Sequence, residues 1–213
     1  MKILYSLTCH ITRIFVRLFY GHKIYGQEHI CSKRAIIAPS HTSFLDPPLI
    51  AASWPTEVFF LAKKKLFSNP IFGPLIRRLN AYPVTGTAED VASIKLICQL
   101  LKNDHQVVIF PSGIRSFDNT IGEIKPGVAM LALRCQAPII PVYIDGCFDI
   151  WNRTRTFPKL KGKTACVIGS PIECQPFLLM EKKSGQLAMS EKVGEALEAL
   201  KAWYDNGAIG SPP

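Results

Sequence analysis

His41 and Asp46 stand five residues apart in the run Pro39-Ser-His-Thr-Ser-Phe-Leu-Asp-Pro47. Residues three or four apart share one face of an α-helix, and residues five apart do not. The spacing works when His41 lies in a turn and Asp46 opens the next helix, where Pro47 is accepted in the first turn. The carboxylate can then accept the imidazole Nδ1–H, fix the tautomer and raise the basicity of Nε2. An imidazole held that way is a general base for a hydroxyl. The same spacing also fits a helix-capping Asp beside a surface His.

A second run, Phe110-Pro-Ser-Gly-Ile-Arg-Ser116, carries Arg115 just past a Pro-Ser-Gly turn. A guanidinium there can grip a phosphate or carboxylate through two parallel hydrogen bonds. It can equally pair with Asp118 or Glu123. Lys63, Lys64 and Lys65 offer further cations for a phosphate, or a solvated edge. The chain has no Gly-x-Ser-x-Gly elbow to raise a serine nucleophile.

Both runs follow segments that read as strands. Ala35–Ala38 leads to His41 and Val107–Phe110 leads to Arg115. Val58–Leu61, Ile139–Ile144 and Ala165–Ile168 are of the same kind, apolar and bounded by Pro, Gly or polar residues. Between them Ala88–Leu101 places Val91, Ile94, Ile97 and Leu101 on one helical face. Pro126–Cys135 is apolar nearly all round, and Val193, Ala196, Leu197, Leu200 and Trp203 mark a last amphipathic helix that Gly207 can stop. The alternation predicts a single α/β domain whose central, mixed or mostly parallel sheet is covered by helices. Ligands of such sheets collect beyond the carboxyl ends of the strands, so the two runs are expected to face one pocket.

The first twenty residues predict an amphipathic, membrane-associating helix. Ile3, Leu7, Ile11, Ile14 and Leu18 recur every three or four residues, with Leu4, Phe15 and Phe19 widening the stripe. Lys2, Ser6, His10, Arg13 and Arg17 fall opposite. A spanning helix would have to desolvate both arginines, at roughly 2.5–3.5 kcal/mol each near the bilayer centre. Lying in the interface instead puts the apolar face among acyl chains and Arg13 and Arg17 among headgroups. Packing on the protein's own core is the other use of such a stripe. Residues 21–209 are then the main domain, and 210–213 a loose tail.

Composition bounds the partners. The chain has 213 residues, 48% hydrophobic and 19% charged, which excludes a disordered chain. A mean hydropathy of +0.16, with no run of about 20 uninterrupted apolar residues, excludes a multi-span membrane protein. Its seven cysteines include no Cys-x-x-Cys pair, which fits a reducing, cytosol-facing compartment and offers no metal-ligand spacing. The net charge of +9 is concentrated in residues 1–34, 58–88 and 153–163. That segregation implies an anionic partner: lipid headgroups, a phosphorylated substrate or nucleic acid. Nucleic acid fits least, because no helix-turn-helix, RNA-recognition signature or zinc-finger spacing is present.

With these residues in place, four blocks in order resemble the glycerolipid acyltransferases, most of all their bacterial 1-acyl-glycerol-3-phosphate branch. His41-Thr-Ser-Phe-Leu-Asp46 is similar to the family's His-x-x-x-x-Asp motif, and Phe110-Pro-Ser-Gly-Ile-Arg-Ser116 to its Phe-Pro-Glu-Gly-Thr-Arg-Ser motif. Ala62-Lys-Lys-Lys-Leu-Phe-Ser-Asn-Pro-Ile-Phe-Gly73 resembles the second block. Lys125-Pro-Gly127 and Ala137-Pro-Ile-Ile-Pro-Val-Tyr143 resemble the fourth.

The resemblance implies that Asp46 orients His41, and that His41 deprotonates the sn-2 hydroxyl of lysophosphatidic acid. That oxygen attacks the thioester of acyl-CoA or acyl carrier protein to give phosphatidic acid for phospholipid synthesis, with no acyl-enzyme, no cofactor and no metal. Arg115, Lys63 and Lys64, with Ser112 and Gly113 of the third block, are implied to bind the acceptor. The implied location is the cytoplasmic face of the cell membrane, as a peripheral or monotopic enzyme. Ser112 stands where Glu is usual and Ile114 where Thr is common. Lys65 replaces a Glu, and Tyr82-Pro-Val-Thr-Gly86 lacks an Arg often found there. These departures leave open another lysophospholipid or glycerol 3-phosphate as acceptor. A hydrolase using His41 with a serine, and a non-catalytic membrane-binding protein, are the readings from other classes.

Overall fold

Ile36 and Ala38 point to one side of a sheet and Ala35 and Ile37 to the other, and all four are fully buried. A strand buried on both faces belongs in the middle of a sheet with helices on both sides. In the computed structural model, which describes residues 2–85 and 91–213, that strand is β2 (Ala35–Pro39). The other strands are β1 (Lys23–Tyr25), β3 (Val58–Lys63), β4 (Ala81–Val84), β5 (Gln106–Val108), β6 (Ile139–Asp145) and β7 (Ala165–Ile168). They form one sheet in the order β1-β7-β6-β2-β5-β3-β4. Strands β2 to β6 run parallel, β7 pairs antiparallel with β6, and β1 runs parallel to β7. The expected α/β sheet, mostly parallel and covered by helices, is what forms.

One face is covered by α4 (Val91–Lys102), α5 (Pro126–Cys135) and α8 (Lys182–Asp205), whose Ile97, Leu101, Val128, Ala132, Met189, Val193 and Leu197 pack on Ile36, Val107 and Ile139. The other face takes α2 (Asp46–Ser53) and the start of α6 (Cys147–Trp151). Short helices α3 (Phe72–Arg78) and α7 (Gln175–Leu178) complete the set. Helix α8 starts well before the predicted stretch, because the Glu181 carboxylate caps it by accepting from the Lys183 and Ser184 amides at 3.0 and 3.1 Å. Of the predicted helix Ala88–Leu101, residues 88–90 lie outside the described residues. Strands β1 and β4 were not predicted. They are three and four residues long at the two edges of the sheet, and Pro83 suits an edge strand.

Helix α1 (Lys2–Tyr20) forms as predicted but turns its other side to the protein. Tyr5, Val16 and Tyr20 are the buried residues, while Ile3, Leu7, Ile11, Ile14 and Leu18 remain 48–85% exposed. Arg13, expected among lipid headgroups, is instead committed to the protein. Its Nε donates to the Ala52 carbonyl at 2.7 Å and its Nη2 to the Trp54 carbonyl at 3.1 Å. These are orphan acceptors at the C-terminal end of α2, where a cation is favoured. The tail is a second correction. Pro212 is buried and the Pro213 carbonyl accepts from the Ser170 amide at 3.0 Å, so 210–213 is tied to the domain.

His22 joins three elements just after α1. Its Nε2 meets Ser53 Oγ at 2.9 Å and its Nδ1 meets Thr164 Oγ1 at 2.9 Å. Because the Ser53 hydroxyl donates to the Leu49 carbonyl, it must accept from His22 Nε2–H, leaving Nδ1 to accept from Thr164. Burial lowers the His22 pKa from 6.5 to about 4. The folded chain therefore binds fewer protons than the unfolded one between those values. The stabilisation is complete above pH 6.5 and is lost as pH falls through 6.5 towards 4. That span corresponds to about 3 kcal/mol. Urea unfolding of His22→Gln should show a shallower loss of stability between pH 6.5 and 4 than the wild type; superimposable pH profiles would contradict it.

Candidate active site

The carboxyl ends of β2, β5 and β3 lie side by side, which brings the His41 run, the Arg115 run and Lys63 to one end of the sheet. After β2 the chain makes a turn through His41 to Leu45, and Asp46 is the first residue of α2, followed by Pro47 and Pro48. Prolines are tolerated there because first-turn amides have no intrahelical acceptor. An acidic residue there is also favoured by the helix dipole.

Asp46 is fully buried and its Oδ2 accepts three bonds of 2.8 Å, from His41 Nδ1, the Thr42 amide and the Ser43 amide. An oxygen that accepts from two backbone amides accepts from the imidazole as well, so Nδ1 is the donating nitrogen of the ring. Among the described residues Nε2 has no hydrogen-bond partner, and the side chain keeps 16% of its surface accessible. The ring stacks on Phe110 with centroids 3.8 Å apart, which fixes its plane. The other Asp46 oxygen, Oδ1, is buried without a hydrogen-bond partner among the described residues. Close by, burial and then the Asp46 charge push the Cys147 thiol well up, so it stays an S–H. Asp46 therefore holds the imidazole and the turn at once, and the surface-His alternative does not describe this geometry.

The Arg115 run is built onto the same turn. Strand β5 ends at Val108 rather than Phe110, and the Ser116 amide donates to the His41 carbonyl at 2.8 Å. Gly113 takes φ of 72°, the left-handed conformation that glycine accepts without strain. The Ser112 side chain is buried and its hydroxyl donates to the Ile114 carbonyl at 2.9 Å, so it braces the turn rather than facing outward. The Arg115 guanidinium lies 3.5 Å over the Phe44 ring, an arrangement worth roughly 0.5–2 kcal/mol. Burial, and next the charge of Arg153, lower its pKa from the usual guanidinium value, while Asp46 acts the other way. Asp118, offered as a partner for Arg115, instead bonds Ser116 and Thr120 at 2.8 and 2.7 Å. Lys63 and Lys64 are exposed at this end of the sheet, and no hydrogen bond or ion pair joins them to His41, Asp46 or Arg115.

A family model described as "Acyltransferase" matches residues 21–145, which include His41, Asp46, Lys63, Lys64, Ser112, Gly113 and Arg115. The chain belongs to the acyltransferase family. It is 27% identical over 204 residues to the 1-acyl-sn-glycerol-3-phosphate acyltransferase of Bacillus subtilis, covering 95% of this chain and 99% of that protein. It is 35% identical over 113 residues to the Streptococcus pneumoniae protein of that name, covering 52% of this chain and 41% of the relative. Among solved structures it is similar to the 1-acyl-sn-glycerophosphate (LPA) acyltransferase PlsC from Thermotoga maritima, with a TM-score of 0.74 and 26% identity over 94% of this chain and 79% of that one.

Within this member of the acyltransferase family, several groups shaping the site escaped the reading by motif. Phe44 and Phe110 supply the faces under Arg115 and His41. Ser43 bridges to Asn152, and its hydroxyl donates to the Trp151 carbonyl at 2.7 Å. Phe44 and Phe110 lie within the two motifs themselves, but nothing in the spacing says that their rings face Arg115 and His41. No local signal announces Asn152, which is more than a hundred residues from Ser43. Among the described residues no group of three or more His, Cys, Asp or Glu is placed to hold a metal ion.

Proposed function

We propose that this acyltransferase moves a fatty acyl group from the thioester of acyl-CoA or acyl carrier protein to the sn-2 hydroxyl of lysophosphatidic acid, forming phosphatidic acid. The observation that carries the proposal is the His41–Asp46 pair, with Nδ1–H on the carboxylate and Nε2 unengaged. Nε2 takes the acceptor's hydroxyl proton as its oxygen bonds to the thioester carbonyl carbon. The carbon–sulfur bond then breaks, and the imidazolium returns the proton to the leaving thiolate, with Asp46 balancing its charge meanwhile. No step needs a cysteine. Arg115, aligned by Phe44 and carrying a buried Nη1 without a partner, holds the acceptor phosphate, and Lys63 and Lys64 approach from the neighbouring strand end. Gly113 and Ser112 give the turn the shape that aims Arg115.

The outer side of α1 supports a membrane setting. A stripe of eight large apolar residues, Ile3, Leu4, Leu7, Ile11, Ile14, Phe15, Leu18 and Phe19, is exposed in one run. Exposed apolar faces of that extent mark a membrane or a partner. No helix among the described residues is long and apolar enough to cross a membrane. Ile3, Leu7, Ile11, Ile14 and Leu18 then lie among acyl chains with Arg17 at the headgroups, which brings the site to the layer that holds both acylated substrates.

The test is thiol release from oleoyl-CoA on anionic vesicles, with and without lysophosphatidic acid, followed by sedimentation of the vesicles. Release that requires the acceptor and yields phosphatidic acid, with the protein in the pellet, is the expected result. Acceptor-independent release would replace the proposal with a hydrolase, and protein left in the supernatant would overturn the membrane setting.

A further inference from the structure

Arg153 opens a basic run, Arg153 to Lys163, that falls outside all four blocks shared with the family. As a charge run it implies an anionic partner without singling out any one residue. The structure detaches its first residue from the rest. Asn152 is bridged antiparallel to Ser43, two residues past His41, and the Trp151 carbonyl accepts from both the Ser43 hydroxyl at 2.7 Å and the Phe44 amide at 3.2 Å. That stitching fixes the chain at Arg153 against the turn that carries the imidazole.

The Arg153 guanidinium lies 3.6 Å over the Phe117 ring, and its Nη1 donates to the Arg115 carbonyl at 3.4 Å. Arg115 is held in the same manner, 3.5 Å over Phe44. Two aromatic faces thus hold two guanidinium groups at the Arg115 turn, close enough for the Arg153 charge to be felt at Arg115. Neither has a carboxylate partner: the ion pairs among the described residues are His41–Asp46, Lys192–Glu195 and Lys201–Asp205. Asp118, the acid nearest to Arg115 in sequence, is held by Ser116 and Thr120, and Asp149, the nearest to Arg153, forms no ion pair with it. Like charges fixed together cost free energy, and that cost is offset when an anion lies between them.

We propose that Arg153 is a specificity-determining residue which, with Arg115, seats a phosphate monoester dianion beside His41 and so selects acceptors carrying a terminal phosphate. The inference rests on the acyl transfer to lysophosphatidic acid proposed above. A phosphate monoester presents three free oxygens and close to two negative charges, which two guanidinium forks can share. A phosphodiester headgroup has one charge and two free oxygens, so it leaves one arginine unmatched. The flat ring under each guanidinium matters, because it holds the fork without using its N–H groups.

The test compares wild type, Arg153→Gln and Arg153→Lys by calorimetric binding of a soluble short-chain lysophosphatidic acid, and by acylation kinetics with lysophosphatidic acid and with a phosphate-free monoacylglycerol. The Gln variant should raise Kd and KM for the phosphorylated acceptor about 10- to 100-fold, as loss of a charge-assisted contact does. Its kcat should stay within about threefold, its KM for the thioester should not move, and the Lys variant should fall between it and the wild type. Unchanged Kd in the Gln variant, or equal losses for the phosphate-free acceptor, would reduce Arg153 to a packing residue and overturn the seat. Should the Gln variant fail to fold, Arg153→Lys carries the same reading through its own Kd. If wild type binds the phosphate monoester tightly, the variant binds it weakly and neither acylates it, the seat stands and the acyl-transfer reading falls. A wild type that binds no phosphate monoester overturns the seat.

Discussion

His41→Ala should lower kcat for acyl transfer by about 100- to 10,000-fold, the range for removing a positioned general base. It should leave KM for both substrates close to wild type. The imidazole makes one side-chain hydrogen bond, to Asp46 Oδ2, and rests on Phe110. When it is removed, Oδ2 keeps the Thr42 and Ser43 amides at 2.8 Å, so the buried carboxylate is not stranded and the turn is held. The stability loss should therefore be small, about 1 kcal/mol for one lost hydrogen bond and a partly exposed ring contact. Single-turnover transfer and urea unfolding of the same preparation separate the two quantities. A variant that keeps a tenth of the wild-type kcat would remove His41 from the chemistry.

The His41–Asp46 pair was legible in the sequence for a physical reason. Both ends of the His41–Asp46 interaction lie within six residues, so the turn geometry that brings them together is local. The same holds for Arg115, whose Pro-Ser-Gly turn predicts its exit from a strand. The central strands were legible because burial on both faces demands apolar runs, as in Ala35–Ala38. The edges were not. Lys23–Tyr25 and Ala81–Val84 gain their hydrogen bonds from neighbours far along the chain, and one of them contains a proline. The way α1 is held on the domain was hidden for a related reason. Its apolar stripe is real, yet the side that packs is chosen by Tyr5, Val16 and Tyr20 and by the carbonyls at the end of α2 that bind Arg13. A pattern within one helix carries no information about orphan acceptors on another. Arg153 was hidden in its own charge run, because what distinguishes it is the Ser43–Asn152 bridge between segments distant in sequence.

Asp46→Asn should match the His41→Ala loss of kcat and destabilise the fold more than that variant does. The carboxylate accepts from three donors through Oδ2 while Oδ1 lies buried beside the Cys147 thiol. An asparagine can keep its oxygen on the three donors, but its NH2 group then occupies the Oδ1 site, where the neighbouring Cys147 sulfur is only a weak acceptor. Turned the other way, the NH2 group meets three N–H groups. Either orientation leaves a buried donor poorly satisfied, which costs about 1–3 kcal/mol. The neutral amide also cannot balance the imidazolium that forms as the acceptor's proton moves, so kcat should fall by about 100- to 10,000-fold. Urea unfolding should show the stability loss, and amide exchange at Thr42 and Ser43 should quicken. Because the two side chains act on one proton, the double variant should be no slower than His41→Ala alone. Losses that multiply in the double variant would mean that Asp46 serves the turn and His41 the chemistry independently, and the paired mechanism would have to be abandoned.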